Sequence, residues 1–323
     1  MGHVLISICI PAYKHVALTH ECAQSVLRQD TDLELVVLDD FYLLDQTAEN
    51  IRQIEALREL LHADRRVKCV SNEKLLPIQD NWNKAVSLCS GSHVKLMGAD
   101  DNMLPGSVAK MQAMVQAQPA VAFHGHLANL IDAQGKLIRQ QKRYGDRFTN
   151  RPLTGTEALQ GKLRQQVRFK EPACNFFLKC AWEKVGGYDT RFRFVFDVDF
   201  NSKLMASSSS MLWNETLVEL RRHQNSDGAQ LPASLALMDL AGLVEAITQR
   251  LGTACTSQDR AAAAGWVQYR LLELLAQRVR SRPLDIAKLL SSNLGLFAKN
   301  PASWYWMLKL LAGRALYHDV QQA

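Results

Sequence analysis

The sequence predicts an α/β protein with a doubly wound sheet, helices on both faces of that sheet, and a helical region at its C-terminal end. In the first hundred residues, four short apolar runs alternate with segments of helical spacing. Strands that alternate with helices form parallel βαβ units, which assemble into a sheet covered on both faces. From Pro232 onward the pattern changes to Ala- and Leu-rich helix. We therefore expect one domain over residues 1–230 and a helical region over 231–323.

The individual elements follow from the apolar runs and from the residues that bound them. The predicted strands are VLISICI (4–10), LELVVL (33–38), RVKCV (66–70) and HVKLM (93–97). Pro11 is expected to close the first strand. A threonine suits the N-cap of a helix and a proline suits its first turn, so the helices are expected to begin near Thr19, Thr47, Gln79 and Pro105. Residues 120–200 are less regular and predict a mixed, loop-rich continuation.

Composition narrows the class of protein. The chain is 47% hydrophobic and 22% charged, which is typical of a globular protein with a substantial core. Its net charge of +6 is far from the footprint of a nucleic-acid binder. The seven cysteines form no C-x-x-C pair, which excludes a zinc ribbon and a thioredoxin-type site and indicates reduced thiols. No run reaches the roughly 18 apolar residues of a membrane span, and the first run lacks a basic leader. We expect a cytoplasmic protein.

Candidate site residues follow the ends of the predicted strands. Ligands of doubly wound sheets bind outside the carboxyl ends of the strands. The residues found there are Pro11-Ala12-Tyr13, then Asp39-Asp40, then Asp100-Asp101. The dinucleotide fingerprint G-x-G-x-x-G is absent, which argues against a nicotinamide or flavin enzyme.

The two aspartate pairs each have two interpretations. In Asp39-Asp40 one carboxylate caps a turn, or the pair hydrogen-bonds a ligand. Asp100-Asp101 is either a solvated turn before the next helix or a site for a divalent cation. Hard oxygen ligands beside a strand end, completed by phosphate, are how Mg²⁺ or Mn²⁺ is usually held.

Two further residues are candidates from the second half of the domain. Asp197 and Asp199 lie either on the wet face of an amphipathic segment or among the phenylalanines that surround them in FRFVFDVDF. Apolar surroundings raise the pKa of a carboxyl group, which suits a general base. His223 in RRHQNS has the composition of an ordinary surface histidine, and Arg221 and Arg222 beside it suit either phosphate or water.

Taken together and in this order, the segments that contain these residues resemble the motifs of the family 2 glycosyltransferases of GT-A fold. The resemblance rests on SICIPAYKH, VVLDDFYLLDQT, NWNKAVSLCSGSHVKLM, KLMGADDNMLPGS, GGYDTRFRFVFDVDF and RRHQNS. These segments have the order and spacing of the family's motifs over roughly residues 4–230. The C-terminal helices have no share in the resemblance.

The resemblance implies a mixed GT-A sheet and a role for each candidate residue. Pro11, Ala12 and Tyr13 would line the nucleotide base, and Asp40, supported by Asp39, would hydrogen-bond the base or ribose. The other implied positions are Asp100 for the ribose or metal, Asp101 for Mg²⁺ or Mn²⁺, Asp197 for the general base, and His223 near the diphosphate.

The implied reaction is an inverting, metal-dependent transfer of a sugar from a nucleotide-diphosphate donor to a glycan or a lipid-linked saccharide, as in surface polysaccharide assembly. Three positions depart from the family's motifs. Gly98 stands where its metal motif often has aspartate, Phe196 where it has glutamate before the base, and Phe41-Tyr42 where it has a small turn. Gly98 and Phe196 favour the alternative, a catalytically silent protein that binds a sugar nucleotide or acts as a scaffold.

The last predicted helix, 303–320, combines Trp304, Tyr305 and Trp306 with Lys309 and Arg314. This composition is compatible with a peripheral anchor on the inner face of the membrane. It also suits a helix packed on the catalytic domain or on the second subunit of a homodimer.

Overall fold

A computed structural model describes residues 4–278, apart from 46, 150, 168, 170 and 223–232. The strands in this part of the chain are β1 (Ile6–Ala12), β2 (Glu34–Asp39), β3 (Val67–Ser71), β4 (His93–Leu96), β5 (Asn102–Met103), β6 (Phe123–Ile131), β7 (Leu137–Gln140), β8 (Asn175–Leu178) and β9 (Ser210–Arg221). The α-helices are α1 (Val16–Leu27), α2 (Ala48–His62), α3 (Ile78–Ser87), α4 (Ser107–Ala117), α5 (Gly155–Leu163), α6 (Lys179–Val185), α7 (Phe196–Ser207), α8 (Ala233–Leu251) and α9 (Ser257–Arg278).

The strands form one mixed sheet in the order β3-β2-β1-β4-β8-β6-β9-β5, with β7 paired to β6. Strands β3, β2, β1 and β4 run parallel, whereas β8 is antiparallel to both β4 and β6. The predicted doubly wound mixed sheet is confirmed. Strand β1 lies between β2 and β4, so the chain continues from β1 to β2 and β3 on one side and later returns to β4 on the other. Ligands of such sheets bind at the carboxyl end of the strands where the order reverses in this way.

The core explains why these strands and helices associate. Alternate residues Ile6, Ile8 and Ile10 point to one face of β1, where they pack in a cluster with buried side chains of α1, α2 and α4. Successive side chains of a strand point to opposite faces of the sheet, so residues spaced by two lie on the same face. Burial of these aliphatic side chains stabilises the sheet by about 1.5–3 kcal/mol for each.

Strand β1 does not end at Pro11, as the sequence predicted, but continues to Ala12. The pairing of β1 with β4 ends at Cys9, whose carbonyl accepts the Met97 N–H. Two residues later, the nitrogen of Pro11 faces the side of β1 on which β4 lies. A proline needs no partner for its nitrogen there, so the strand runs on beside β2.

The helix starts are partly as predicted. Thr47 is confirmed as the N-cap of α2, since its hydroxyl accepts the Asn50 N–H at 3.2 Å. Thr19 is wrong as an N-cap: it lies inside α1, and its hydroxyl donates to the carbonyl of His15. Pro105 is also wrong as a first-turn residue. Helix α4 begins at Ser107, after Gly106 has turned the chain with a φ of +74° that favours glycine.

The chain divides into two compact units. The larger contains Met1–Ala158, Phe169–Phe192 and Phe196–Gln230, and the smaller contains Leu159–Arg168, Arg193–Val195 and Leu231–Ala323. In the smaller unit, Arg164 forms a 2.6 Å ion pair with the fully buried Asp259. The domain boundary near residue 230 stays a prediction. None of the helices in the described residues is long and apolar enough to cross a membrane.

Candidate active site

Asp39 and Asp40, at the end of β2, have different environments. The Asp39 carboxylate accepts the Phe41 N–H at 3.2 Å and the Ser71 hydroxyl at 2.8 Å, so it fixes the turn that leaves the strand. The Asp40 carboxylate instead accepts the side-chain amides of Asn72 at 3.0 Å and Asn81 at 3.4 Å. Of the two interpretations, turn capping therefore describes the contacts of Asp39, while Asp40 is held from the side by amides.

A polar network behind Asp40 fixes its orientation. The Asn72 amide also donates to the Asn81 oxygen at 2.8 Å, and the Lys84 ammonium donates to the Asn72 oxygen at 2.7 Å. Burial raises the pKa of Asp40, and the charge of Asp39 adds to this, while the Asn72 hydrogen bond and the Lys84 charge oppose it. Sequence reasoning did not single out Asn72, Asn81 or Lys84. Asn72 directly follows β3, and Asn81 and Lys84 lie on α3 within the segment NWNKAV, so the family resemblance covered these two residues without assigning them a role.

The Pro11-Ala12-Tyr13 segment adjoins Asp40 directly. The Ala12 carbonyl accepts the Asp40 N–H at 3.1 Å. Ala12 itself is fully buried in the core, so Pro11 and Tyr13 present the accessible surface of this segment. Lys14 follows with a φ of +64°, and its ammonium lies 4.7 Å from the centre of the Tyr13 ring.

Asp100 and Asp101 lie in the turn between β4 and β5, and their carboxylates converge on Gly98. A β-carbon placed on Gly98 would come within 2.7 Å of Asp101 Oδ2 and 2.9 Å of Asp100 Oδ1. A side chain at this position would therefore collide with both carboxylates. The glycine that departs from the family's metal motif leaves the space that the remaining pair occupies.

The electrostatics of this aspartate pair favour a bound cation. Burial, and next the charge of Asp100, raise the pKa of Asp101 to about 8, while the Arg221 N–H bonded to Asp101 Oδ1 at 3.0 Å opposes the shift. Two carboxylates that share a buried space repel each other unless a proton or a metal ion lies between them. Hard oxygen donors suit Mg²⁺ or Mn²⁺. No group of three or more metal-binding side chains occurs in the described part of the chain, so the pair would supply only some of the ligands.

Arg221 holds the aspartate turn in place. Its guanidinium, only 5% exposed, donates to the carbonyls of Asp100 at 3.0 Å and Ala133 at 3.1 Å and to the Glu21 carboxylate at 2.8 Å. The sequence left open whether Arg221 faces phosphate or water; in the fold it faces protein groups. Arg222, about half exposed, pairs with Glu171 at 2.5 Å.

Asp197 is the second residue of α7 and lies beside an aromatic cluster. One of its oxygens accepts the Val198 N–H at 2.8 Å. Phe196, which precedes it, is buried against Trp82 with ring centres 4.9 Å apart, and Tyr188 and Phe200 lie 4.3 Å apart in the same cluster. Burial is the main cause that raises the pKa of Tyr188, and the charge of Asp197 contributes. Phe196 thus has a packing role that a glutamate could not fill.

Helix α3 connects the candidate nucleotide residues with the candidate base. Its Asn81 contacts Asp40, and its Trp82 packs on Phe196, next to Asp197. Its Gln79 donates to the Phe192 carbonyl at 2.6 Å. The structure therefore links the ends of β1 and β2 to Asp197 through one helix. His223 and the segment 303–320 lie outside the described residues.

Comparisons with solved structures match this arrangement. The fold resembles that of S. aureus TarS 1–349 in complex with UDP-GlcNAc, at a TM-score of 0.56 and 12% identity, covering 90% of this chain and 91% of that one. It also resembles the mannosyltransferase PcManGT from Pyrobaculum calidifontis in complex with GDP-Man and Mn²⁺. There the TM-score is 0.56 and the identity 16%, covering 94% of this chain and 84% of that one.

Sequence comparisons point the same way. The chain is 28% identical to an uncharacterised protein of Mycobacterium tuberculosis over 68% of its own length and 67% of that protein. It is 25% identical to an uncharacterised glycosyltransferase of Haemophilus influenzae over 49% of its length and 47% of that protein.

The mixed sheet, with carboxylates at the ends of its parallel strands, has the GT-A fold of these structures. The model of the family described as glycosyl transferase family 2 matches residues 7–186. The chain belongs to this family and is a nucleotide-sugar-dependent glycosyltransferase. The expected family and fold are confirmed.

Proposed function

We propose that this glycosyltransferase moves a sugar from a nucleotide-diphosphate donor, with inversion, to a glycan or lipid-linked saccharide, and that it requires Mg²⁺ or Mn²⁺. The convergence of the Asp100 and Asp101 oxygens on Gly98 carries the proposal, because a second negative charge beside the buried Asp101 is costly unless something neutralises it. The complexes of TarS with UDP-GlcNAc and of PcManGT with GDP-Man and Mn²⁺ support the donor class and the metal.

The donor nucleotide would bind at the carboxyl ends of β1 and β2. Tyr13 and Pro11 would form the wall against the base, and Asp40, oriented by Asn72 and Asn81, would accept a hydrogen bond from the base or ribose. Asp39 supports this role by fixing the turn after β2. His223 is proposed near the diphosphate on the family resemblance alone.

Asp100 and Asp101 would hold the cation, with Arg221 keeping their turn in place. When bound, the cation neutralises the negative charge that develops on the departing nucleoside diphosphate. Asp100 would also lie near the ribose.

Asp197 would act as the general base. The acceptor hydroxyl oxygen forms a bond to the anomeric carbon from the face opposite the diphosphate, and Asp197 accepts the hydroxyl proton. The bond between the anomeric carbon and the diphosphate oxygen breaks, and its electron pair leaves with the nucleoside diphosphate. Attack from the opposite face inverts the configuration at the anomeric carbon.

A thermal-shift series with UDP, GDP, dTDP and CMP, each with and without Mn²⁺, tests the donor site. A ligand at about a hundredfold over its Kd stabilises the folded state by about 2.7 kcal/mol. We expect a metal-dependent shift with one diphosphate. The absence of a shift with every nucleotide would contradict the proposed donor site and favour a silent protein.

The variant Asp197→Asn tests the proposed base. It should keep the thermal shift with donor and lose transfer by about 10²–10⁴-fold, the usual contribution of a positioned base. Asp30→Asn, which removes an exposed carboxylate, is the matched control and should transfer normally. Full transfer by Asp197→Asn would rule out the role, and retention of anomeric configuration in the product would rule out the mechanism.

A further inference from the structure

The hairpin formed by β6 and β7 carries a concentrated positive charge on the surface of the larger unit. Lys136, Arg139, Lys142 and Arg143 are all exposed, and no acidic residue occurs between Ala133 and Gly145. Two acids flank this segment along the chain, Asp132 and the exposed Asp146. Asp132 is engaged within the hairpin turn, where its carboxylate accepts the N–H groups of Gln134 and Lys136. We call this surface, residues 136–143, the basic hairpin edge.

These four cations have no acidic partner among the described residues. Some exposed arginines of the chain pair, namely Arg151 with Glu157, Arg191 with Asp189 and Arg222 with Glu171, whereas Arg28, Arg58 and Arg65 are exposed and form no ion pair in the part of the chain that the structure describes. The basic hairpin edge is therefore distinguished by its density of positive charge, because its four cations lie within eight residues that include no acid.

Two aliphatic side chains are exposed within the same edge. Leu137 is 49% exposed and Ile138 57% exposed. The pairing of β6 with β7 shifts at this point, because Leu130 lies opposite Arg139 and Ile131 opposite Leu137, which leaves Ile138 as an extra residue. In such a bulge two residues oppose one, so two consecutive aliphatic residues of the basic hairpin edge are exposed.

The outer side of β7 has no strand partner in the described part of the chain. An acidic peptide could add to this edge as a further strand, but bulges and basic side chains on an edge are features that hinder strand addition. A lipid surface makes no demand on backbone register. Basic side chains that surround exposed aliphatic groups are typical of contact with anionic lipid, where headgroups pair with the cations and the aliphatic groups enter the interface.

We propose that the basic hairpin edge is a docking surface for an anionic lipid bilayer. The hairpin turn is attached to the candidate site, since the Ala133 carbonyl accepts the guanidinium of Arg221, which also bonds the Asp100 carbonyl. Contact with the bilayer at this edge would hold the catalytic domain against the membrane independently of the segment 303–320. The proposal does not depend on the identity of the sugar or of the acceptor.

Co-sedimentation of the full chain with vesicles tests the proposal. Vesicles of phosphatidylcholine with about 30 mol% phosphatidylglycerol should bind the protein, and vesicles of phosphatidylcholine alone should not, because each cation near an anionic surface contributes about fivefold to binding. A variant with Lys136, Arg139, Lys142 and Arg143 all changed to Gln should lose at least about 100-fold in affinity for the anionic vesicles. The variant Leu137→Ser/Ile138→Ser should bind more weakly than the wild type while keeping its dependence on salt.

The matched control removes the same number of exposed cations elsewhere, through Arg28→Gln, Arg58→Gln, Arg65→Gln and Lys184→Gln, and should bind the vesicles as the wild type does. An unchanged thermal shift with the donor nucleotide would show that the hairpin variants are folded. Failure of the wild type to bind anionic vesicles would overturn the proposal. So would equal binding by the four-Gln hairpin variant, or binding of polyglutamate in preference to vesicles.

Discussion

Two clusters of ionisable side chains have members on or just beyond strand β4, and they differ in how their polar atoms are satisfied. One is the histidine–lysine cluster of His93, Lys95, His124 and His126, on β4 and β6. The fully buried Lys95 ammonium donates to His126 Nε2 at 2.7 Å and to backbone carbonyls of the segment before β8. His126 Nδ1 donates to the Leu127 carbonyl, and His124 bonds both the Val121 carbonyl and the Trp213 indole.

The other cluster is the aspartate pair, Asp100 and Asp101, a few residues beyond β4. Here two carboxylates of like charge converge on one space. Burial lowers the pKa of Lys95 to about 7 and that of His93 to about 4, which favours neutral groups, whereas it raises the pKa of Asp101 to about 8. The comparison teaches that buried charge alone does not mark a functional site. A cluster closed by its own donors and acceptors needs nothing further, whereas like charges that converge are stabilised by a proton or by a cation.

The largest expected effect is on transfer. Asp101→Asn should lower turnover by about 10³-fold, because the loss of a metal ligand removes several kcal/mol of transition-state stabilisation. The free energy of unfolding without metal should be unchanged or higher, because folding must bind a proton at Asp101 above about pH 4 and Asn requires none. Turnover assays and urea unfolding measure the two effects, with Asp30→Asn as the control. A variant with unchanged turnover, or one that is strongly destabilised, would make the aspartate pair a structural element like the other cluster.

The histidine–lysine cluster should behave in the opposite way. Lys95→Met removes the ammonium and leaves His126 Nε2 and two carbonyls without their donor. Each buried polar atom left unsatisfied costs about 1–3 kcal/mol, so we expect the free energy of unfolding to fall by about 3 kcal/mol. The affinity for donor nucleotide should not change.

Lys110→Met is the surface control for this substitution. Lys110 forms an exposed ion pair with Glu215, and such a pair contributes about 0–1 kcal/mol. Urea unfolding together with nucleotide titration makes the comparison. Loss of donor affinity in Lys95→Met without loss of stability would place Lys95 in the donor site instead.

The smallest expected effect is a difference in pH dependence. The pKa of Asp101 is raised in the fold, so between about pH 4 and pH 8 the unfolded chain releases this proton while the folded chain retains it. The contribution of Asp101 to stability therefore falls as the pH rises through this window. The pKa values of His93 and His124 are lowered, to about 4 and about 3, so their contribution falls as the pH drops below about 6.5.

The effect of Asp101 is isolated by comparing the wild type with Asp101→Asn in metal-free buffer. The stability advantage of the variant should grow from pH 4 to pH 8, as measured by urea unfolding, and Mn²⁺ should reduce it. Parallel pH profiles for the two proteins would mean that Asp101 titrates as an ordinary carboxyl group.

Much of the fold followed from local pattern. The first four strands lie where the apolar runs placed them, because buried parallel strands are nearly continuous in apolar residues. The errors came from residues with two local roles. Thr19 suits an N-cap as well as an internal helical position with a bond to the preceding turn. A proline usually ends a strand, but Pro11 is tolerated within β1 because the pairing with β4 has already ended at Cys9.

Candidate site residues could be proposed from the sequence only where they follow strand ends. Asp40, Asp100 and Asp101 were proposed in this way, because parallel strands end at one edge of the sheet, and their roles stay predictions. Arg221 and Lys95 could not be assigned, since the groups they contact lie far away in sequence. A lysine within an apolar strand predicts only a strand. Its partners are decided by the packing of segments about eighty residues further along the chain.

The place of β9 in the sheet has a consequence for synthesis. This strand spans Ser210–Arg221, pairs with β6 and β5, and ends on the arginine that bonds the Asp100–Asp101 turn. On the ribosome the first four strands are complete long before that arginine exists. Pairings between distant segments form late and slowly. The aspartate turn is therefore among the last parts of the domain to become ordered, and a chain released before residue 221 has the first four strands without the arginine that holds this turn.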